Sequence, residues 1–334
     1  MRWQGQSVDQ DRERRLPNLN AEAVIRTFDA PEAVGIRFHE IRAKSAINRV
    51  PKQSRMPFSY TINPYRGCSH SCTYCFARPT HTYLDLNARE DFEREIIVKV
   101  NVPEVLRAEL ARPSWKREHV ALGTNTDPYQ WVESRYKLMP GIWKALRDFD
   151  TPSSLVTKSP LVLRDIELLV ELNERSEMSV YMSIPTLDEG AWRATEPHTP
   201  SPRARLKALA KLNDAGIPSG VLVAPLMPGI NDSPEEIKKI RDLAREAGAV
   251  SVAGVTLHLR GEVRGIFFDW LKYHRPDLIP HYEELYKRGA YAPSEVRNRH
   301  GELAKFSTRK RKRGLRAAPK PDSAENRDPQ AALF

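Results

Sequence analysis

Six short apolar or β-branched runs recur along this chain: "FSYTIN", "HVALGTN", "SSLVTK", "SVYMSIP", "PSGVLVAPL" and "SVAGVTLHL". Most are followed by a stretch of helical period, at the spacing of roughly thirty residues that a βαβ crossover takes. Strands that are mostly unbroken runs of apolar residues belong in a parallel sheet, with helices covering its faces. The alternation therefore predicts an α/β fold. A doubly wound open sheet and a partial (β/α) barrel both accommodate six such units, and periodicity does not separate them.

Several helix starts are marked. Ser159-Pro160, Ser201-Pro202 and Ser233-Pro234 each set a capping hydroxyl before a proline suited to the first helical position. Glu236 is expected to complete a capping box with Ser233. In "SPRARLKALAKLNDAG", Leu206, Leu209, Ala210 and Asn213, with Leu212 beside them, predict an amphipathic helix that Gly216 ends.

All three cysteines of the 334 residues stand in "NPYRGCSHSCTYCFARPTH", as Cys68, Cys72 and Cys75, directly after the first predicted strand. An odd number at such close spacing makes no complete disulfide framework. Three thiolates from one loop can hold three irons of a cubane iron–sulfur cluster, and they leave the fourth iron without a protein ligand. The rival reading is a non-enzymatic zinc- or iron–sulfur-binding module, a scaffold or sensor, with His70 or His81 as a fourth zinc ligand.

Bulk properties add bounds. A hydrophobic fraction of 40% supports a substantial core. No run reaches the length of a membrane span, and "MRWQGQSVDQDRERR" carries no apolar signal-like stretch, so the cytoplasm is the expected location. Lys and Arg exceed Asp and Glu by 53 to 43, a charge of +10 that favours anionic partners such as nucleic acid. Much of the excess lies in "KFSTRKRKRGLRAAPK", read as a solvated tail or a nucleic-acid-contacting arm.

Read as C-x3-C-x-aromatic-C, with Tyr74 before the last cysteine, the cysteine segment resembles the signature of the radical S-adenosylmethionine (SAM) superfamily. The likeness runs roughly from Ser54 to Leu271 through "LGTNTDPYQWVE", "LVTKS", "YMSIPTLDE", "TEPHTPSPRARL" and "VLVAPLMPGIND", toward the spore photoproduct lyase branch and its bacterial relatives. The resemblance implies a partial (β/α)6 TIM-like barrel over residues 54–275. Around it would stand a partly disordered N-terminal extension (1–53), a C-terminal helical cap (276–304) and a basic low-complexity tail (305–334). It implies a 4Fe-4S cluster on Cys68, Cys72 and Cys75, with S-adenosyl-L-methionine on the open iron. One electron, from a donor such as flavodoxin or ferredoxin, would yield methionine and a 5′-deoxyadenosyl radical that abstracts hydrogen from a substrate.

The resemblance also implies site residues, each with a plainer alternative. Asn125, Thr126 and Asp127 occupy the place of the family's contact to the SAM amino group, although "GTNTDP" departs from the glycine-glycine-glutamate of many relatives. A capped turn before Pro128 is the alternative. Lys158 would pair with the SAM carboxylate, or be a solvated loop lysine. Ser183 would face the ribose or methionine, or be a core serine bonded to backbone. Glu196 and Arg205 share one motif, in which Arg205 would make a forked contact to the SAM carboxylate or a surface salt bridge. Val223, Ala224 and Pro225 would line the adenine, or pack as an ordinary strand end, and Tyr74 would lie near the adenine or cluster. His258 and Arg260, ending the sixth strand, would face the substrate, or His258 would be a satisfied core histidine, the more frequent case in an apolar strand. The additional cysteine with which spore photoproduct lyase returns hydrogen to its product has no counterpart among these three, so the same repair mechanism is not expected.

Overall fold

The computed structural model describes residues 24–308 apart from 52, 53 and 55. The basic run Arg309 to Arg313 and the rest of the tail from 309 onward lie outside the described residues, as do residues 1–23. The strands, in chain order, are β1 (Val24–Arg26), β2 (Arg37–Ile41), β3 (Ile47–Arg49), β4 (Tyr60–Ile62), β5 (Tyr65–Arg66) and β6 (Glu95–Lys99). They continue as β7 (Val120–Leu122), β8 (Ser153–Thr157), β9 (Met178–Ser183), β10 (Ser219–Leu226), β11 (Ser251–Thr256) and β12 (Phe306–Ser307).

The six apolar runs become β4, β7, β8, β9, β10 and β11, adjacent in that order and parallel throughout. Antiparallel β3 and β12 form the two edges, so the sheet stays open: a partial TIM-like barrel with helices in its crossovers. Gly123, at the end of β7, has φ of +80° and sits so close to β8 that a Cβ there would lie 1.9 Å from the Val156 carbonyl oxygen. Only glycine allows the two strand ends to approach in this way.

The helix starts hold in detail, with one correction. Ser159, Ser201 and Ser233 each accept a backbone N–H of the following turn. Glu236, however, does not turn back to Ser233. Its carboxylate accepts the Thr186 hydroxyl and the Leu187 N–H, and so ties the helix Pro234–Glu246 to the loop after β9. The helix Pro202–Asp214 buries Leu209 and Leu212 as expected, together with Pro202, Arg205 and Ala208, while Leu206, Ala210 and Asn213 of the expected stripe are half-buried, so the stripe is rotated. The rotation follows from Arg205, which turns inward because a buried carboxylate awaits it.

A second, four-stranded sheet of order β1-β2-β6-β5 leans on the first. Residues 24–49, grouped with the N-terminal extension on sequence grounds, supply β1, β2 and β3. The inner face of this sheet contributes Phe38, Tyr65, Ile96 and Val98 to the core that also holds Ile62, Leu122, Leu155, Val180 and Val221. At the far end the helix Ser294–Ala304 is fastened by buried His300, which bridges Thr256 Oγ1 (2.9 Å) and Asp232 (3.0 Å).

Candidate functional site

The cysteine loop leaves β5 and coils back on itself through i to i+3 backbone bonds from Ser71 to Cys68, from Cys75 to Cys72 and from Arg78 to Cys75. Two residues permit its tight start. Ser71 takes φ of +55°, and Gly67 at φ +85° leaves no room for a Cβ, which would stand 2.9 Å from the Phe92 carbonyl oxygen. Thr126 Oγ1 (2.6 Å) and Gln130 Nε2 (3.1 Å) both donate to the Gly67 carbonyl, and the Ser69 N–H donates to Gln130 (2.9 Å).

The other end of the loop is held by Arg78, a residue the sequence reading passed over. Its guanidinium is buried and donates to the carbonyls of Cys72 (2.9 Å), Ser71 (3.1 Å), Ala88 (3.2 Å) and Arg89 (3.0 Å), and it pairs with Glu93. The signal was an arginine three residues past the last cysteine, where the chain is otherwise apolar and turn-rich.

Burial, with the Asp127 carboxylate adding to it, pushes the Cys68 thiol up to about 12. Burial also raises Cys72 and Cys75, against an opposing pull from Lys158 on the first and from Arg78 on the second. Such thiols become ligands as a bound metal displaces their protons. The donor set suits iron–sulfur chemistry: three soft thiols come from one loop, and neither nearby histidine is positioned to join them. His70 faces Asp127 at 3.4 Å, and His81 directs Nε2 to the Glu95 carbonyl at 3.0 Å. Among the described residues no three His, Cys, Asp or Glu side chains are grouped to hold a metal ion.

Beside the loop, at the C-terminal ends of the parallel strands, lies a buried ionic network centred on Glu196. Its carboxylate meets Lys158 Nζ (2.8 Å), Arg205 Nη2 (2.5 Å) and the Tyr74 hydroxyl. Burial alone would raise the Glu196 pKa, but Arg205 and Lys158 outweigh it and hold the group at about 2. Lys158 also donates to Ser183 Oγ (2.6 Å), whose hydroxyl donates to the Ala224 carbonyl (3.2 Å). The backbone N–H of Thr73, inside the cysteine loop, donates to the Thr195 carbonyl (3.0 Å), which joins the loop to the residue before Glu196.

Tyr74, Lys158, Ser183 and Arg205 are thus brought together. Arg205 is fully buried and not a surface ion pair: it donates to Pro200 O, Ser183 O, Thr199 Oγ1 and Glu196. Asp127 accepts from Thr157 Oγ1 (2.7 Å), Tyr129 N (2.9 Å) and Lys158 N (2.7 Å), so it caps its own turn and sets the backbone that carries Lys158. Thr126 turns to Gly67, and Asn125 stands half-buried beside it. Val223 belongs to the main core, while Ala224 and Pro225 lie half-buried where the register of β10 against β11 slips. His258 and Arg260 lie apart, on a rim with Phe76 and Tyr291: the His258 ring is 5.7 Å from each aromatic ring, and the Arg260 guanidinium is 5.5 Å from that of Tyr291. Glu196 was named in the sequence only as part of a motif, yet it is the hub.

Residues 62–244 match the family model of the Radical SAM superfamily. The chain belongs to that superfamily. An uncharacterized protein of Mycobacterium tuberculosis is 47% identical over 301 residues, covering 89% of this chain and 88% of its own length. An uncharacterized protein of Methanocaldococcus jannaschii is 29% identical over 202 residues, covering 59% of this chain and 70% of its own. Among solved structures, spore photoproduct lyase complexed with dinucleoside spore photoproduct superposes with a TM-score of 0.59 at 16% identity, over 80% of this chain and 77% of that one. This radical SAM protein therefore shares the lyase's fold. Membership in the superfamily implies an enzyme that uses SAM, an iron–sulfur cluster and a reductant, and no helix among the described residues is long and apolar enough to cross a membrane.

Proposed function

We propose that the chain is a radical SAM enzyme in which Cys68, Cys72 and Cys75 hold a 4Fe-4S cluster, S-adenosyl-L-methionine occupies the network at the strand ends, and the substrate carries nucleobases. The observation that carries this reading is three thiols, two buried and one half-buried, on a loop hydrogen-bonded to the segment that leads into the Lys158–Glu196 centre. When bound, the two cofactors supply reductive cleavage of the sulfonium to methionine and a 5′-deoxyadenosyl radical that takes a hydrogen atom from the substrate.

The chain's own residues bind and orient. Lys158 offers its ammonium to the SAM carboxylate, and Ser183 its hydroxyl to the ribose or methionine. Glu196 holds the Lys158 side chain in place through its ion pair, and Arg205 and Asp127 act as positioning residues for Glu196 and Lys158. Tyr74, packed with Cys72, Met227, Leu257 and Leu259, keeps water from the reacting centre.

The rim of Phe76, His258, Arg260 and Tyr291 supports the substrate class. Phe76 directly follows the last cysteine and is 53% exposed, and aromatic faces with an arginine make a stacking surface for bases. The dinucleoside named for the solved lyase points the same way. With no cysteine beyond the three cluster ligands, hydrogen return to any product radical would fall to a tyrosine or a partner.

Anaerobic reconstitution tests the reading. A brown, air-sensitive protein that forms 5′-deoxyadenosine with dithionite is expected, with Cys72→Ala losing both iron and cleavage. Ser183→Ala should keep the iron and weaken SAM binding about tenfold, the weight of one well-made hydrogen bond. A colourless protein with one tightly held zinc would overturn the proposal. Phe76→Ala should weaken oligonucleotide binding while SAM cleavage without substrate stays unchanged; equal affinity removes the rim from the substrate site.

A further inference from the structure

On the outer face of the smaller sheet, Arg66 pairs opposite Ile97 in the antiparallel β5–β6 ladder. Lys99 stands two residues beyond Ile97, and alternation along a strand puts it on the same face as Arg66. Both are half-buried. Every other half-buried or buried cation in this part of the molecule has an acid: Arg37 has Glu95, and Arg78 has Glu93. Among the described residues neither Arg66 nor Lys99 makes an ion pair, although both are half-buried on one face of the ladder and the Arg66 charge is felt at Lys99.

Two neighbouring cations partly withdrawn from water and left without a counter-charge work against folding. Such a pair is what a bound anion would repay. The two side chains also differ in a useful way, one a planar fork and the other a point charge, a combination suited to the several oxygens of a phosphate. We propose that Arg66 and Lys99 form an oxyanion site that takes a phosphate group, from free phosphate or from a nucleic-acid backbone. Arg66 stands two residues before Cys68, but neither cation belongs to the rim at Phe76 or to the Lys158–Glu196 centre, so the proposal uses no part of the cofactor assignment.

The test uses the full-length chain carrying its iron, in a buffer of constant ionic strength. Inorganic phosphate replacing chloride should raise the melting temperature of the wild type. Arg66→Gln and Lys99→Gln should each weaken phosphate binding roughly tenfold, the loss of one charge-assisted contact, while both variants keep the wild-type iron content and circular dichroism. A short single-stranded oligonucleotide separates the two sources. Oligonucleotide affinity that falls in both variants and is competed by phosphate assigns the site to a nucleic-acid backbone. Oligonucleotide affinity that is unchanged, with phosphate stabilisation confined to the wild type, assigns it to free phosphate. Phosphate stabilisation that is absent from the wild type, or equal in all three proteins, overturns the proposal.

Discussion

Two pairs of cations in this molecule are treated in opposite ways. Arg205 and Lys158, at the strand ends, share Glu196 and are further bonded to carbonyls and hydroxyls, so each cation has the carboxylate and neutral acceptors about it. Arg66 and Lys99, nearer the surface, share nothing but proximity. The first pair is organised before any ligand arrives, and its order is maintained by the protein alone. The second is left for something outside the chain to complete. A site for a zwitterionic cofactor needs the former, because its donors must be fixed in place; a site for a simple anion works with the latter.

Removing the shared acid breaks the contrast most severely. Glu196→Gln keeps the shape of the side chain but leaves Lys158 and Arg205 buried without a counter-charge, at a cost of about 3–5 kcal/mol. The expected result in a chemical denaturation series is a large fall in midpoint, with SAM binding lost at temperatures where the fold survives. A change of under about 1 kcal/mol would mean that the two cations reach solvent, as surface pairs do.

How far the sequence announced this arrangement depends on the kind of residue. The six parallel strands were legible in the apolar runs, since burial on both faces leaves an unbroken pattern, and the cysteine spacing was legible because one loop contributes all three thiols. Arg78 was not, nor were the burial of Arg205 and the central place of Glu196, because a lone charged residue in a sequence looks exposed until its partner is known: Glu196 is nine positions from Arg205 but 122 from Tyr74. The stripe misread on the helix Pro202–Asp214 has the same origin, in that Arg205 counts as core only once it is paired. The smaller sheet escaped notice because two of its four strands, β1 with three residues and β5 with two, are too short to set a period.

Arg78 sharpens the comparison from the compensated side. Arg78→Lys keeps the charge beside Glu93 but cannot reach four carbonyls with one ammonium, and leaving buried carbonyls unpaired costs about 2 kcal/mol. The effect should be concentrated in the cysteine loop: iron content after reconstitution falls, and iron is lost faster to a chelator, while the core signal by circular dichroism is preserved. Unchanged chelation kinetics would reduce Arg78 to a generic core contact.

Lys99 gives the smallest and most specific effect. Burial and Arg66 lower its pKa to about 8 in the folded chain, against the ordinary value near 10.4 in an unfolded one. Between those two values the unfolded chain binds more protons, so stability in phosphate-free buffer should rise as pH increases from about 8 toward 10. Below about 8 both states hold the proton and the penalty is present in full. Lys99→Met should abolish the rise relative to wild type and, at pH 7, stabilise the protein by about 1 kcal/mol, the screened worth of the relieved charge. Phosphate should do to the wild type what the substitution does to the variant, because an anion beside Lys99 returns its pKa toward 10.4 and flattens the slope. A wild type whose pH slope is the same with and without phosphate would mean that the two cations meet nothing but water, and the contrast with the Glu196 centre would then be one of depth alone.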